Sequence, residues 1–267
     1  MDERLLKSLN PAQREVALAR EGAVLALAGA GTGKTHTVTA RIAGLIADGT
    51  APENILAVTF TNKAAGEMKA RLRAMVPKRV SLDKMLACTF HSLCVRILRR
   101  DPAAAGLPPH FTIISQGEQI GVIRKAARHV HGLALARPEE LLAAVGRVKS
   151  AGLTPEEFSL RALEEEDVAL ASVYRKYQEA MRLRGVVDFD DLLLFALRVL
   201  RTPAGDYWAE RFQQIVVDEF QDTSAIQYSL VKELARKWGN LCVVGDDDQS
   251  IYSWRGAVPG NILDFGR

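Results

Sequence analysis

The chain has little of what would mark it as secreted, membrane-borne or disordered. Its three cysteines, Cys88, Cys94 and Cys242, fall without any C-x-x-C spacing. Neither a disulfide framework nor a metal site is indicated, and buried reduced thiols are expected. Nowhere do about 18 apolar residues follow one another, so no membrane-spanning helix and no membrane partner are expected. The start, "MDERLLKSLN", lacks a basic stretch leading into an apolar run, which makes a cytoplasmic location the expectation. Internal repeats and low-complexity tracts are missing as well. A formal net charge of +3 is too small to identify a nucleic-acid partner, so binding has to be argued from particular residues.

What is present describes an ordinary globular chain. With 48% hydrophobic and 25% charged among 267 residues, one large domain or two modest ones can form. Short β-type runs occur at "GAVLALA", "NILAVTF", "KMLACTF", "QQIVVD" and "NLCVV", each bounded by polar or glycine punctuation as buried parallel strands are. Between the first two lies "KTHTVTARIAGLIADG", whose Val38, Ile42, Leu45 and Ile46 recur at helical spacing before Gly49. Strand, glycine-rich turn, helix and strand make a βαβ unit. From about residue 91 to 212 the clear patterns are helical. They start at capping boxes, Ser115 with Glu118 and Thr154-Pro155 with Glu157. Leu170, Val173, Tyr174, Tyr177 and Met181 form another helical stripe that stops at Gly185. The acidic run Glu164 to Asp167 reads as a helix start favoured by the dipole.

The first chemical motif is "AGAGTGKT", residues 28 to 35. It satisfies the phosphate-loop pattern with Ala28 in place of the first glycine. Backbone N–H groups of Ala28, Gly29, Ala30, Gly31, Thr32 and Gly33 would wrap phosphates at a helix N-terminus, where the dipole also favours negative charge. Lys34 would reach the β and γ phosphates and Thr35 would offer a hydroxyl to Mg2+. A second motif, "QIVVDEFQDT", residues 214 to 223, sets Asp218 and Glu219 at the end of an apolar strand. There Asp218 suits Mg2+ binding and Glu219 suits proton abstraction from an attacking water. Asp222 reads as a supporting carboxylate or a cap.

These residues resemble the N-terminal half of a UvrD/PcrA/Rep helicase of superfamily one, and the match spans most of the core. "LNPAQ" (9 to 13), "TFTNKAA" (59 to 65), "TFHS" (89 to 92), "DFDDLL" (188 to 193), "DEFQD" and "GDDDQSIYSWRGA" all occur in the family's order. The resemblance implies a RecA-like α/β core over 1–107 and 188–267 with an all-helical insertion over 108–187. It implies ATP and Mg2+ as cofactors, with Gln13 reading the adenine and Gln249 contacting the γ phosphate. Two further nucleotide positions follow, His36, where the family often has an arginine, and Arg41 on the phosphate-loop helix. Phe60, Thr61, Asn62, His91, Tyr252, Trp254 and Arg255 are implied as single-stranded DNA contacts. Taken singly, "TFTN" and "TFHS" could be strand-to-helix turns with Phe60 in the core and His91 as a cap. The implied activity is ATP-dependent DNA unwinding in repair or replication, 3′ to 5′ by resemblance, on single strands and duplex junctions. Two other readings are the helicase part of a recombination helicase-nuclease and a nucleotide-gated DNA-binding module without turnover. Nothing in the 267 residues resembles the family's second RecA-like lobe. These residues alone are therefore expected to bind nucleotide weakly and to hydrolyse it slowly.

Overall fold

The structure, a computed structural model, describes residues 6–29, 31–128, 130–132 and 137–246. In chain order its first elements are α1 (Pro11–Leu18), β1 (Ala23–Leu27), α2 (Lys34–Ala47), β2 (Ile55–Thr59), α3 (Asn62–Met75), β3 (Leu86–Thr89) and α4 (Phe90–Arg100). There follow β4 (Thr112–Ile113), α5 (Gln116–Ala126), α6 (Pro138–Ser150), α7 (Pro155–Arg161), α8 (Glu165–Leu183), β5 (Val186–Val187) and α9 (Phe189–Leu200). The last are α10 (Asp206–Arg211), β6 (Gln214–Val217), α11 (Ala225–Ala235) and β7 (Leu241–Gly245). The chain divides into two compact units. One comprises Met1–Leu93, Gly205–Thr223 and Gln227–Arg267, and the other Cys94–Ala204 and Ser224–Ile226.

The first unit is an α/β layer built on the five runs read as strands. They pair in the order β1-β7-β6-β2-β3, every pair parallel. Alternation explains the packing, because Ile55, Ala57, Val216, Cys242 and Val244 meet Val38, Ile42 and Leu45 of α2 and Met68 and Leu72 of α3 in one core. The opposite face of the strands, Leu56, Val58, Ile215, Val217 and Val243, is buried too. Continuous apolar runs are what a sheet covered on both faces requires. β1 departs from the expectation of full burial. It lies at the sheet edge, and its end residues Ala23 and Leu27 are exposed. The three cysteines are buried thiols, as their spacing implies.

The second unit is helical around α8. Val173, Tyr174, Tyr177 and Met181 are buried there against α5 and α6. Both capping boxes form, Ser115 with Glu118 and Thr154 with Glu157, and α8 starts after Glu164 with Glu165, Glu166 and Asp167 in its first turn. Two differences from the sequence reading appear. The unit is not wholly helical, because β4 and β5 make a two-residue parallel pair. Its limits are also wider than 108–187, since α9 belongs to it. The physical reason lies in "DFDDLL": Lys149 on α6 is fully buried, and its Nζ donates to Asp188 Oδ2 at 2.7 Å and Asp191 Oδ1 at 2.6 Å. A buried ammonium needs both carboxylates, so α9 is tied to α6. Among the described residues no helix is long and apolar enough to cross a membrane.

Candidate nucleotide and nucleic-acid site

Because all five strands of the α/β unit are parallel, their C-terminal ends share one edge, where open α/β sheets place their sites. The loop after β1 carries the glycines. Gly31 and Gly33 adopt φ of 71° and 87°, a left-handed conformation that residues with a Cβ avoid. Gly33 thereby caps α2, turning the chain so that the helix N-terminus faces the loop. Thr32 closes the turn, its hydroxyl donating to Gly29 O at 2.7 Å. Gln13 is fixed at this loop by α1. Its Oε1 accepts from Asn10 N in a capping box, and its Nε2 donates to Thr32 O at 2.8 Å. A Cβ at position 33 would come within 3.0 Å of that Nε2. Ser8 Oγ and His36 Nε2 are hydrogen-bonded at 3.1 Å, so the start of α2 is tied on both sides to the segment before it.

Lys34, the first residue of α2, reaches across the strand ends. Its Nζ lies 3.3 Å from Asp246 Oδ2, just past β7, and 3.7 Å from Glu219 Oε2, just past β6. Asp218, directly after β6, is buried, its N–H donating to Val58 O. Burial, then the neighbouring Glu219 charge, pushes its carboxyl up to about 6. The same causes push Asp222 up to about 6, and its buried Oδ1 has no partner among the described residues. Glu219 is the one non-glycine residue described with positive φ, 54°, a conformation costing an L-residue roughly 1–2 kcal/mol. It is held there by Gln221, whose Nε2 donates to Glu219 Oε2 at 2.9 Å while its Oε1 accepts from Asp246 N at 3.0 Å. Strain kept in place by surrounding bonds is characteristic of working sites. The arrangement sets Asp218, Glu219 and Asp222 past β6 within the field of the Lys34 charge.

Further along the edge come the segments read as DNA contacts. β2 and β3 end in register, Thr59 beside Thr89, so that Phe60 to Asn62 and Phe90 to His91 each follow a strand at the same sheet edge. Thr61 caps α3 by accepting from Ala64 N, and Asn62 is exposed. Phe60 is half-buried, edge-to-face with Phe90 at 5.9 Å between centroids. His91 opens the first turn of α4. Ala30, Gln249, Tyr252, Trp254 and Arg255 lie outside the described residues.

Arg41 requires a correction. Grouped by resemblance with the nucleotide positions, it is fully buried two turns along α2, and its Nη1 donates to Val16 O at 2.8 Å and to Ala19 O. Burial lowers its guanidinium from the ordinary value, and the side chain serves to hold the end of α1. Two residues of the site are not singled out by the sequence reading, Asp246 within "GDDDQSIYSWRGA" and Gln221 within "DEFQDT". The signal for Asp246 was its place directly after an apolar strand, the same place that exposed Asp218.

The parallel sheet, the glycine-rich loop opening α2 and the carboxylates at the strand ends define a RecA-like phosphate-loop domain with a helical unit inserted in it. The chain belongs to the UvrD/REP helicase N-terminal domain family, whose model matches residues 9–267. It is 44% identical over 265 residues to an ATP-dependent DNA helicase PcrA of Staphylococcus epidermidis, covering 98% of this chain and 36% of the relative. Its identity to that of Bacillus subtilis is 43% over 270 residues, covering 99% and 36%. To that of Staphylococcus aureus it is 43% over 265 residues, covering 98% and 36%. The chain thus spans just over a third of the length of these relatives.

Proposed function

We propose that the chain is the ATP-binding lobe of a DNA helicase, coupling Mg-ATP hydrolysis to movement along single-stranded DNA. The observation that carries this reading is the order of groups along one sheet edge, with the phosphate loop at one end, Lys34 between two carboxylates, and an aromatic segment at the other. The named activity of the PcrA relatives supports it. On this reading Lys34 exchanges Asp246 and Glu219 for the β and γ phosphates, and the loop N–H groups orient them. Gln13, released from Thr32, reads the adenine edge, and His36 borders the base. Thr35 and Asp218 would hold Mg2+, which would supply charge neutralisation to the phosphates. Among the described residues no group of three or more His, Cys, Asp or Glu is placed to hold a metal ion. Glu219 accepts a proton from the water attacking the γ phosphate as the bond to the ADP oxygen breaks. Gln249 contacts the γ phosphate.

DNA would lie along Phe60, Thr61, Asn62 and His91, joined by Tyr252, Trp254 and Arg255. Base stacking on an aromatic is worth about 1–3 kcal/mol and is indifferent to sequence. Trp254→Ala should therefore weaken single-strand affinity on that scale for every homopolymer while leaving nucleotide affinity unchanged. A second RecA-like lobe would supply the arginine fingers, worth about 10³–10⁵ in rate in related phosphoryl transfer. The decisive assay is ATP hydrolysis by the full-length protein with and without single-stranded DNA, alongside strand displacement on a tailed duplex. DNA-stimulated turnover and displacement, both lost in Lys34→Ala, are expected. Nucleotide-dependent DNA binding without turnover would instead establish a gated binding module.

A further inference from the structure

The helical unit holds a cavity of about 520 Å³ that neither the nucleotide nor the DNA chemistry above uses. Its cationic part is three arginines. Arg175 and Arg182, two turns apart, share one face of α8, and Arg198 stands near the end of α9. All three are exposed. Arg198 helps lower the Glu157 carboxyl, after the stronger effect of that group's hydrogen bonds to Thr154. Otherwise the guanidinium groups make no hydrogen bond or ion pair among the described residues. Two carboxylates, Glu156 and Glu179, stand in the same lining, and the wall between is apolar, formed by Leu107, Pro108, Val186, Leu194 and Phe195.

We propose that this cavity is a docking site for an acidic peptide segment of a partner protein, with carboxylates flanking an apolar side chain. Guanidinium forks match carboxylates two bonds at a time, and three of them spread around one cavity suit several acidic side chains. The apolar wall takes the residue between, and the volume falls in the range of pockets that enclose a small ligand. A nucleic-acid backbone fits less well, because the apolar wall of Leu107, Pro108, Val186, Leu194 and Phe195 would face a uniformly charged strand.

The test uses residues 1–267 and fluorescence anisotropy with a labelled pool of short peptides alternating Asp or Glu with Leu, Val or Phe. The control is a pool with Lys in place of every acid. Saturable binding of the acidic pool is expected, weakened about tenfold or more, roughly 1.4 kcal/mol, in Arg175→Ala/Arg182→Ala/Arg198→Ala, with nucleotide binding unaltered. These side chains are exposed, so the variant should fold, and circular dichroism checks it. A photoreactive group at the apolar position of the pool should label Leu107, Leu194 or Phe195. The proposal is overturned by any of four results: no saturable binding of the acidic pool, equal binding of the basic pool, unchanged affinity in the triple variant, or labelling elsewhere. An oligonucleotide that displaces the pool and itself loses affinity in the triple variant would reassign the cavity to nucleic acid.

Discussion

At the scale of single residues, Glu219 shows how function and stability pull apart. Its left-handed backbone and its bond from Gln221 hold the carboxylate beside Lys34. Glu219→Gln keeps the shape and removes the proton acceptor, so nucleotide binding should persist while turnover falls by roughly 10²–10⁴. Lys34→Ala should instead weaken binding, because it removes the charge that faces the phosphates. Glu219→Gly makes a different point. Relief of the left-handed cost is offset in part by the greater freedom of glycine in the unfolded chain. Unfolding stability should therefore change by no more than about 1 kcal/mol, towards greater stability, while turnover is lost. Equilibrium denaturation beside single-turnover hydrolysis separates the two effects, and near-normal turnover in Glu219→Gln would remove the base assignment. Lys34, Asp218 and Glu219 were legible because each sits at a fixed offset from a strand or glycine signal. Arg41 was not, because helical spacing says that it lies on α2 but not that its face of α2 meets the end of α1.

At the scale of elements, capping boxes and apolar stripes gave away α5, α7 and α8, since both signals are local. The knot joining α6, α8 and α9 was invisible, because no local pattern says that Lys149, Asp188, Asp191 and Tyr177 converge. Tyr177 OH donates to Asp188 Oδ2 at 2.8 Å, and Gln178 Nε2 to Asp191 Oδ1 at 3.0 Å. Removing one member of such a group leaves the others buried and uncompensated, at a cost of about 3–5 kcal/mol. Lys149→Met should destabilise the helical unit by that amount in urea denaturation. Lys149→Met/Asp188→Asn/Asp191→Asn should recover much of it, and a loss under about 1 kcal/mol for the single change would contradict the pairing. The pH response has a definite sign. Burial alone would lower Lys149, but Asp191 and Asp188 hold its ammonium above the ordinary range, and burial raises Tyr174 and Tyr177. Through these three groups the folded unit keeps protons that the unfolded chain releases, so the stability they contribute is level below about pH 10 and falls as pH rises beyond it. Tyr177→Phe should flatten that fall, as followed by far-ultraviolet circular dichroism between pH 8 and 12.

At the scale of the whole molecule, the five strands could be read from sequence but their order could not, because parallel neighbours are set by crossovers and packing far apart in the chain. β1 and β7, separated by more than two hundred residues, pair from Ala23 with Leu241 to Leu27 with Gly245. That pairing sets Asp246 beside the phosphate loop, which is why its partnership with Lys34 escaped a linear reading. The division into two units also offers a clean test of where nucleotide acts. No tryptophan lies between residues 94 and 204, whereas Trp208 is buried in the α/β unit and Trp238 donates from its indole to Glu210 O at 3.0 Å. Tryptophan fluorescence therefore follows the α/β unit. A ligand bound only by the folded state stabilises it by about 2.7 kcal/mol at one hundred times its dissociation constant. For a domain of this size that shifts the melting temperature by roughly 5 to 10 °C. Mg-ATP should raise the fluorescence melting temperature of residues 1–267 by that much, and Lys34→Ala should reduce the shift at equal nucleotide concentration. Lys149→Met, which acts in the helical unit, should leave the nucleotide-induced shift in place. A shift of the same size in Lys34→Ala would mean that nucleotide binds somewhere other than the loop after β1.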